Sequence, residues 1–235
     1  MRSGKSLRIL LVLTLLASGI VFASGGSASA SITANEPLNL TNNPAPQNRG
    51  DVDDGVAVWQ DGRNGTCGDA GTAWDIWMHD FSTGEDRAIT TAYKKQEVPR
   101  IDDRKVVSQS DQDCLGSPND SNIYMYALDN GDMTVIAKRA ADQEVPDVNG
   151  ERIVWAEYDY EGSTDWDIYA YDLATETETL VCDDSSYQYN PRVAGDFVVW
   201  EDDRNDEDGD IWGYDLATDE EFEICGESGY QWNPV

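Results

Sequence analysis

Five glutamines divide this chain into copies of one unit, and no other feature restricts its fold as tightly. Gln47, Gln96, Gln143, Gln188 and Gln231 each introduce a short apolar run, with a proline in four of the five copies. Twelve positions on comes Trp59, Ser108, Trp155 or Trp200. An acidic loop follows, and then Asp75-Ile76-Trp77, Asn122-Ile123-Tyr124, Asp167-Ile168-Tyr169 or Asp210-Ile211-Trp212. A unit repeated this closely is a module that stacks on its neighbours to bury its apolar faces.

Each copy reads as four short strands. The first covers Val98 to Ile101 and its equivalents, and the second carries Ile153-Val154-Trp155. The third runs from Asp167 to Asp172 and the fourth from Glu178 to Val181. Turn signals separate them: Asp54-Gly55, Asn149-Gly150 and Gly195-Asp196 after the first strand, and Ser82-Thr83-Gly84 or Asn130-Gly131 after the third. The second strand is apolar at consecutive positions, as a sheet covered on both faces requires. A sandwich has no need of a repeated unit, whereas blades stacked around an axis do. The expected fold is all-β: a β-propeller of four-stranded antiparallel blades over residues 31–235. Its repeats are 47–95, 96–142, 143–187 and 188–230, with partial blade strands at 36–41 and 231–235.

From each glutamine to the isoleucine of the third strand the separation is 29, 27, 25 and 23 residues. From that isoleucine to the next glutamine it is 20 every time. All variation in length therefore lies in the loop between second and third strands, on the face shared with the connection between blades. Loops that vary on one face of a repeat array mark a binding face. The candidate ligand residues there are Asp61, Arg63, Asn64, Asp111, Asp113, Asp202, Asp203 and Arg204. The repeating glutamines themselves, being regular, are expected to make hydrogen bonds between blades. The Tyr or Trp residues beside Gln188 and Gln231 could line a ligand face.

Ahead of the repeats, Arg2, Lys5 and Arg8 precede an apolar run from Ile9 to Phe22 and small residues ending Ala28-Ser29-Ala30. That is the pattern of a secretory signal peptide over residues 1–30. The run is too short for an ordinary membrane span and no second such stretch follows. The mature chain is expected to be exported, to the periplasm, cell surface or medium, with no transmembrane segment. A formal charge of -30, from 46 Asp and Glu against 16 Lys and Arg, argues against a nucleic-acid partner. Eight Trp and eleven Tyr separate this acidity from that of a disordered chain.

The succession Glu144-Val145-Pro146, Arg152-Ile153-Val154-Trp155, Asp167-Ile168-Tyr169 and Asp172-Leu173-Ala174 resembles the WD-repeat-like units of TolB-type and prokaryotic cell-surface propellers. The resemblance covers nearly all the mature chain and implies a fold rather than an activity. The N-terminal α/β domain of TolB has no counterpart between Ser31 and Gln47. At the ends, residues 36–41 align with a fourth strand and 231–235 with the start of a first strand. That pattern is expected of a truncated chain or of a ring completed by a partner, the structural alternative being a closed four-blade ring.

Chemistry-bearing residues are few. His79 is the only histidine, at a position held elsewhere by Tyr126, Tyr171 and Tyr214, so it reads as a rim aromatic. One histidine cannot supply the histidine cluster of the metal-dependent pectin-type lyases that share such propellers. The run Glu157, Asp159, Glu161, Gly162, Asp165 approximates an alternating-carboxylate calcium loop, so Ca2+ is the one metal weighed and no cofactor is required. Cys67 and Cys114 lie in neighbouring long loops and are expected to form a disulfide. Cys182 and Cys225 occupy equivalent outer positions in adjacent blades, too far apart to bridge.

One-sided loop variation without catalytic residues points to a non-enzymatic binding or structural module of the cell envelope or surface, engaging protein or glycan through acidic loops. The alternative is a polysaccharide-active hydrolase or lyase, which would need two carboxylates converging at the channel mouth.

Overall fold

The four-strand unit is built four times in succession. The computed structural model describes residues 39–64, 73–91, 95–111, 121–160, 165–205 and 209–235. The first blade holds β1 (Gln47–Asp53), β2 (Val56–Asp61), β3 (Asp75–Asp80) and β4 (Glu85–Ala88). The second holds β5 (Gln96–Asp102), β6 (Lys105–Asp111), β7 (Ser121–Ala127) and β8 (Met133–Ala137). The third holds β9 (Asp142–Asn149), β10 (Arg152–Tyr158), β11 (Trp166–Asp172) and β12 (Thr177–Cys182). The fourth holds β13 (Gln188–Ala194), β14 (Phe197–Asp202), β15 (Asp210–Asp215) and β16 (Glu220–Cys225). Each sheet is an antiparallel meander in chain order, and first strands of successive blades pack on one another, so the chain is a β-propeller.

Turn chemistry closes the hairpins. Asp54 and Gly55 have φ of 36° and 77°, the mirror-image turn that matches strand twist. The second blade makes the same turn without glycine, at Asp103 (φ 45°) and Arg104 (φ 61°).

The inner strand of every blade is irregular two residues after its glutamine. Arg49, Val98, Val145 and Asn190 take φ of 49°, 52°, 47° and 57°. A left-handed conformation strains a branched residue such as valine by roughly 1–3 kcal/mol. The neighbouring blade supplies the compensation. Val98 N–H donates to Gln60 Oε1 at 3.0 Å, and Val145 N–H donates to Gln109 Oε1 at 2.9 Å. Both acceptors are buried, so breaking either bond would leave polar atoms stranded. Asn233 repeats the device, with φ 59° and its N–H donating to Glu201 Oε1 at 2.5 Å. Residues 231–235 thus begin in the conformation of a first strand without pairing as one.

Two further tiers of bonds join the blades. Asp51 and Asp147 accept from the Ile101 and Val193 N–H groups, each at 3.0 Å. Asp53, Asp102 and Asn149 accept from the turn N–H groups of Asp103, Gly150 and Gly195. The repeating glutamines have a different task from the one expected of them. Gln143 and Gln188 Nε2 donate to the carbonyls two residues back, and Gln96 Oε1 accepts from the Thr90 hydroxyl at 3.0 Å. They fasten the connecting segments, while Gln60 and Gln109 bridge the packed faces.

The core lies between sheets. Val58, Ile76 and Met78 of the first blade pack on Ile101, Val106 and Leu128 of the second. Val107, Ile123 and Ile136 meet Val148, Ile153 and Trp155, and Val154, Ala170 and Val181 meet Val193, Val198 and Trp200. The corresponding outer face of the fourth blade carries Phe197 and Ile224, which are 52% and 50% exposed.

Trp155 is fully buried and Trp232 is 73% exposed. Trp155→Ala should destabilise the fold by about 3–5 kcal/mol. Trp232→Ala should stay within about 0.5 kcal/mol. Urea titrations with unchanged slope would read both values.

Candidate functional site

The candidate residues on the loop face divide into two groups. Asp61 and Asp202 are fully buried. Asp61 accepts the Trp59 indole N–H at 2.9 Å, the Arg63 backbone N–H at 2.8 Å and two guanidinium bonds at 2.9 and 2.7 Å. The Arg63 guanidinium then lies 3.8 Å above the Trp77 ring. Asp202 repeats this arrangement with Trp200 at 2.8 Å and with Arg204, whose guanidinium sits 3.9 Å above Trp212. The third blade builds it from Glu157, Trp155 and Tyr169, with Arg139 supplying the cation at 2.7 Å. The motif Trp-x-Asp-x-Arg, in residues 59–63 and 200–204, is a packing clasp: alternation puts indole and carboxylate on one side of the strand.

Burial raises the Asp61 pKa, but the bonds from Arg63 and Trp59 outweigh it and the net shift is downward. Asn64 is exposed beside this clasp, and Asp111 lies 4.0 Å from the Lys95 ammonium. Asp203 donates its backbone N–H to the Tyr187 carbonyl at 3.0 Å. Asp113, Cys67 and Cys114 lie outside the described residues. Cys182 and Cys225 are free thiols, and burial pushes the Cys182 thiol up to about 12.

The positions flanking each repeating glutamine are where the copies differ most. Before it stand Pro46, Lys95, Asp142, Tyr187 and Tyr230; after it stand Asn48, Glu97, Glu144, Tyr189 and Trp232. The mouth of the propeller is therefore charged around the second and third blades and aromatic at the fourth.

Tyr158, Tyr160 and Trp166, on either side of the β10–β11 loop, join this aromatic sector. Trp166 meets Tyr189 edge-on at 4.9 Å, Tyr187 at 6.4 Å and Tyr158 at 5.5 Å, and Tyr158 meets Tyr160 at 4.6 Å. Rings at these separations touch one another, so the cluster presents an outer shelf rather than a cage. Tyr160 and Tyr187 are 48% and 41% exposed.

Carboxylates fix the ends of the shelf. Tyr160 Oη donates to Asp142 Oδ2 at 2.8 Å, and Tyr189 Oη donates to Glu144 Oε2 at 3.0 Å. The Asp142 bond is the main cause that pushes Tyr160 up to about 12. Burial raises Glu144, and the nearby charges of Asp142 and Glu97 add to the effect. Glu97 is held by the Lys95 ammonium at 2.6 Å. Sequence reasoning singled out Tyr187 and Tyr189 but missed Tyr158, Tyr160, Trp166, Asp142 and Glu144. For Asp142 and Glu144 the available signal was the departure from repeat symmetry beside each glutamine.

The calcium-type loop has its first residue committed elsewhere, because Glu157 belongs to the Arg139 clasp. Asp159 and Asp165 lie near Asp167, whose pKa rises to about 7 through burial and then through the charges of Asp165, Asp183, Glu157 and Asp159. Glu161 lies outside the described residues. Among the described residues no group of three or more His, Cys, Asp or Glu side chains could hold a metal ion.

Comparison with known proteins shows the fold alone. No protein-family model and no curated protein matches the chain. Among solved structures, TolB from Acinetobacter baumannii aligns at 13% identity with a TM-score of 0.55, over 82% of this chain and 46% of that one. The β-propeller domain of the Trilobed protease from Pyrococcus furiosus, which has an open velcro topology, aligns at 10% identity with a TM-score of 0.58, over 76% and 54%. An oligogalacturonate lyase in complex with manganese aligns at 15% identity with a TM-score of 0.51, over 72% and 49%. This chain thus spans about half the length of each of these three structures.

The clasp generates a stability prediction. Arg204→Ala leaves the buried Asp202 carboxylate without its cation and should cost about 3–5 kcal/mol by urea denaturation. Arg204→Lys should recover less than half, lacking the planar fork and the stacking face.

Asp167 generates a pH prediction. The folded chain keeps this proton up to about pH 7, whereas an ordinary aspartate carboxyl, at 3.8, loses it far earlier. Its contribution to stability therefore declines as pH rises from about 4 to about 7. Asp167→Asn should raise the melting temperature at pH 8 and flatten its fall between about pH 4 and about pH 7.

Proposed function

We propose that this chain is a non-enzymatic binding module of the cell envelope or surface that engages a protein or glycan across its loop face. The observation that carries this reading is the broken symmetry at the propeller mouth. Packing repeats from blade to blade, as the clasps and the bridging glutamines do, whereas the shelf of Tyr160, Trp166, Tyr187 and Tyr189 occurs once among the described residues. Hydroxyl bonds to Asp142 and Glu144 hold two of its rings in place, so little freedom is lost when a partner lies on them. The leader over residues 1–30 supports export to a compartment where such partners are met.

A polysaccharide-cleaving activity is favoured by one observation, the raised Glu144 beside a Glu97 held by Lys95. A carboxyl whose pKa is raised by burial is the pattern of a general acid. The same experiment separates the two readings.

Immobilised protein should retain members of a polysaccharide panel or cells of the producing organism. The double variant Tyr160→Ala, Tyr187→Ala should lose this at least about tenfold, a change of about 1.4 kcal/mol. Glu151→Ala, at the opposite end of the blades, should retain it. Retention that ignores the tyrosine pair would overturn the assignment. Release of reducing ends that stops in Glu144→Gln would replace binding by cleavage.

A further inference from the structure

The chemistry around the shelf restricts what can lie on it, given the loop-face binding reading above. Its rings are contiguous, with centroids 4.6–6.4 Å apart, so no ammonium group fits between them as in an aromatic cage. What remains is a continuous surface of rings set edge-on and tilted to one another, exposing both the negative faces and the positive edges of the aromatics. The C–H face of a pyranose ring carries the complementary partial charge. Tyr160 and Tyr187, the two most exposed rings, stand at either end of the cluster and offer stacking positions for separate sugar units.

Charge narrows the class. Asp142 and Glu144 anchor the shelf, and Glu201, Asp203 and Glu144 all act electrostatically on Tyr187. Of the cations near the mouth, Lys95 is paired with Glu97 at 2.6 Å, and Arg49 acts on Tyr189 from the first blade. Among the described residues acids therefore outnumber cations around the rings. Carboxylates accept hydrogen bonds and donate none, so the rim favours a ligand rich in donors. A uronate chain would be repelled. A sugar chain with free ammonium groups satisfies both the stacking surface and the charge, and its N–H bonds to carboxylate are of the strong, charge-assisted kind.

We infer that the aromatic shelf at the third and fourth blades binds an amino-sugar chain, a polysaccharide whose rings carry unacetylated amines. The sugar faces lie on Tyr160, Trp166 and Tyr187, and the amines point to the surrounding carboxylates.

The test is calorimetric titration of the whole chain with four tetramers at mildly acidic pH and about 0.15 M salt. The tetramers are of β-linked glucosamine, N-acetylglucosamine, galacturonic acid and lysine. Glucosamine tetramer should saturate a single site and bind at least about tenfold more tightly than the other three. Tyr160→Ala and Tyr187→Ala, both exposed positions that leave the charge unchanged, should each weaken it at least about tenfold with the circular dichroism unaltered. Equal binding of lysine tetramer, insensitive to the tyrosines, would reduce the effect to general attraction and overturn the inference. Equal binding of the acetylated tetramer, or tighter binding of galacturonate, would overturn the role of the amine. If glucosamine tetramer fails while the tyrosine pair still abolishes retention of cells, this inference falls and the loop-face reading stands. If neither responds, both fall.

Discussion

A carboxylate buried at the end of a second strand must find a cation, and the outer half of three blades is arranged around that need. Asp61, Asp202 and Glu157 are removed from water, a state that is strongly unfavourable for a lone charge. The indole N–H of the tryptophan two residues earlier satisfies one oxygen, and a guanidinium closes the pair while stacking on a third-strand ring. Removing any member strands the rest, so strand, loop and ring are ordered together. The second blade meets the same geometry by omitting the charge: Ser108 and Ser110 stand at the equivalent positions and are also buried.

The surplus of acids takes on a different meaning once the contacts between blades are known. Asp51, Asp53, Asp102 and Asp147 accept backbone N–H groups from the following blade. Acidic side chains are suited to this because they bring acceptors without competing donors. Part of the net charge is thus structural bonding, and only the remainder forms a solvated rim.

The architecture was legible because a repeat must look alike to stack alike. The glutamine spacing, the tryptophan twelve residues on and the Asp-Ile-Tyr strand mark the four repeated units and the order of strands within each. The left-handed valines were hidden, because Val98 and Val145 carry no local sign of a strained backbone; the force that holds them there comes from another blade. The clasp members Asp61, Arg63, Asp202 and Arg204 look like ligand residues in the sequence, since charged groups in a variable loop look exposed until a neighbouring ring covers them. The shelf required two blades at once: Tyr158, Tyr160 and Trp166 read as strand and loop residues of one repeat, and only their approach to Tyr187 and Tyr189 gives them a common surface.

Arg139 shows where resemblance between repeats stops being interchangeability. In the first and fourth blades the cation follows its carboxylate by two residues, so each such blade contains its own clasp. In the third blade it comes from the connection after β8, upstream of the sheet it serves. A segment covering residues 143–187, moved elsewhere in the array or used as a template for an idealised repeat, would carry Glu157 and Trp155 but leave their cation behind. The natural cutting point for that blade is ahead of Arg139, and a boundary drawn at the glutamine separates one working unit into two incomplete ones.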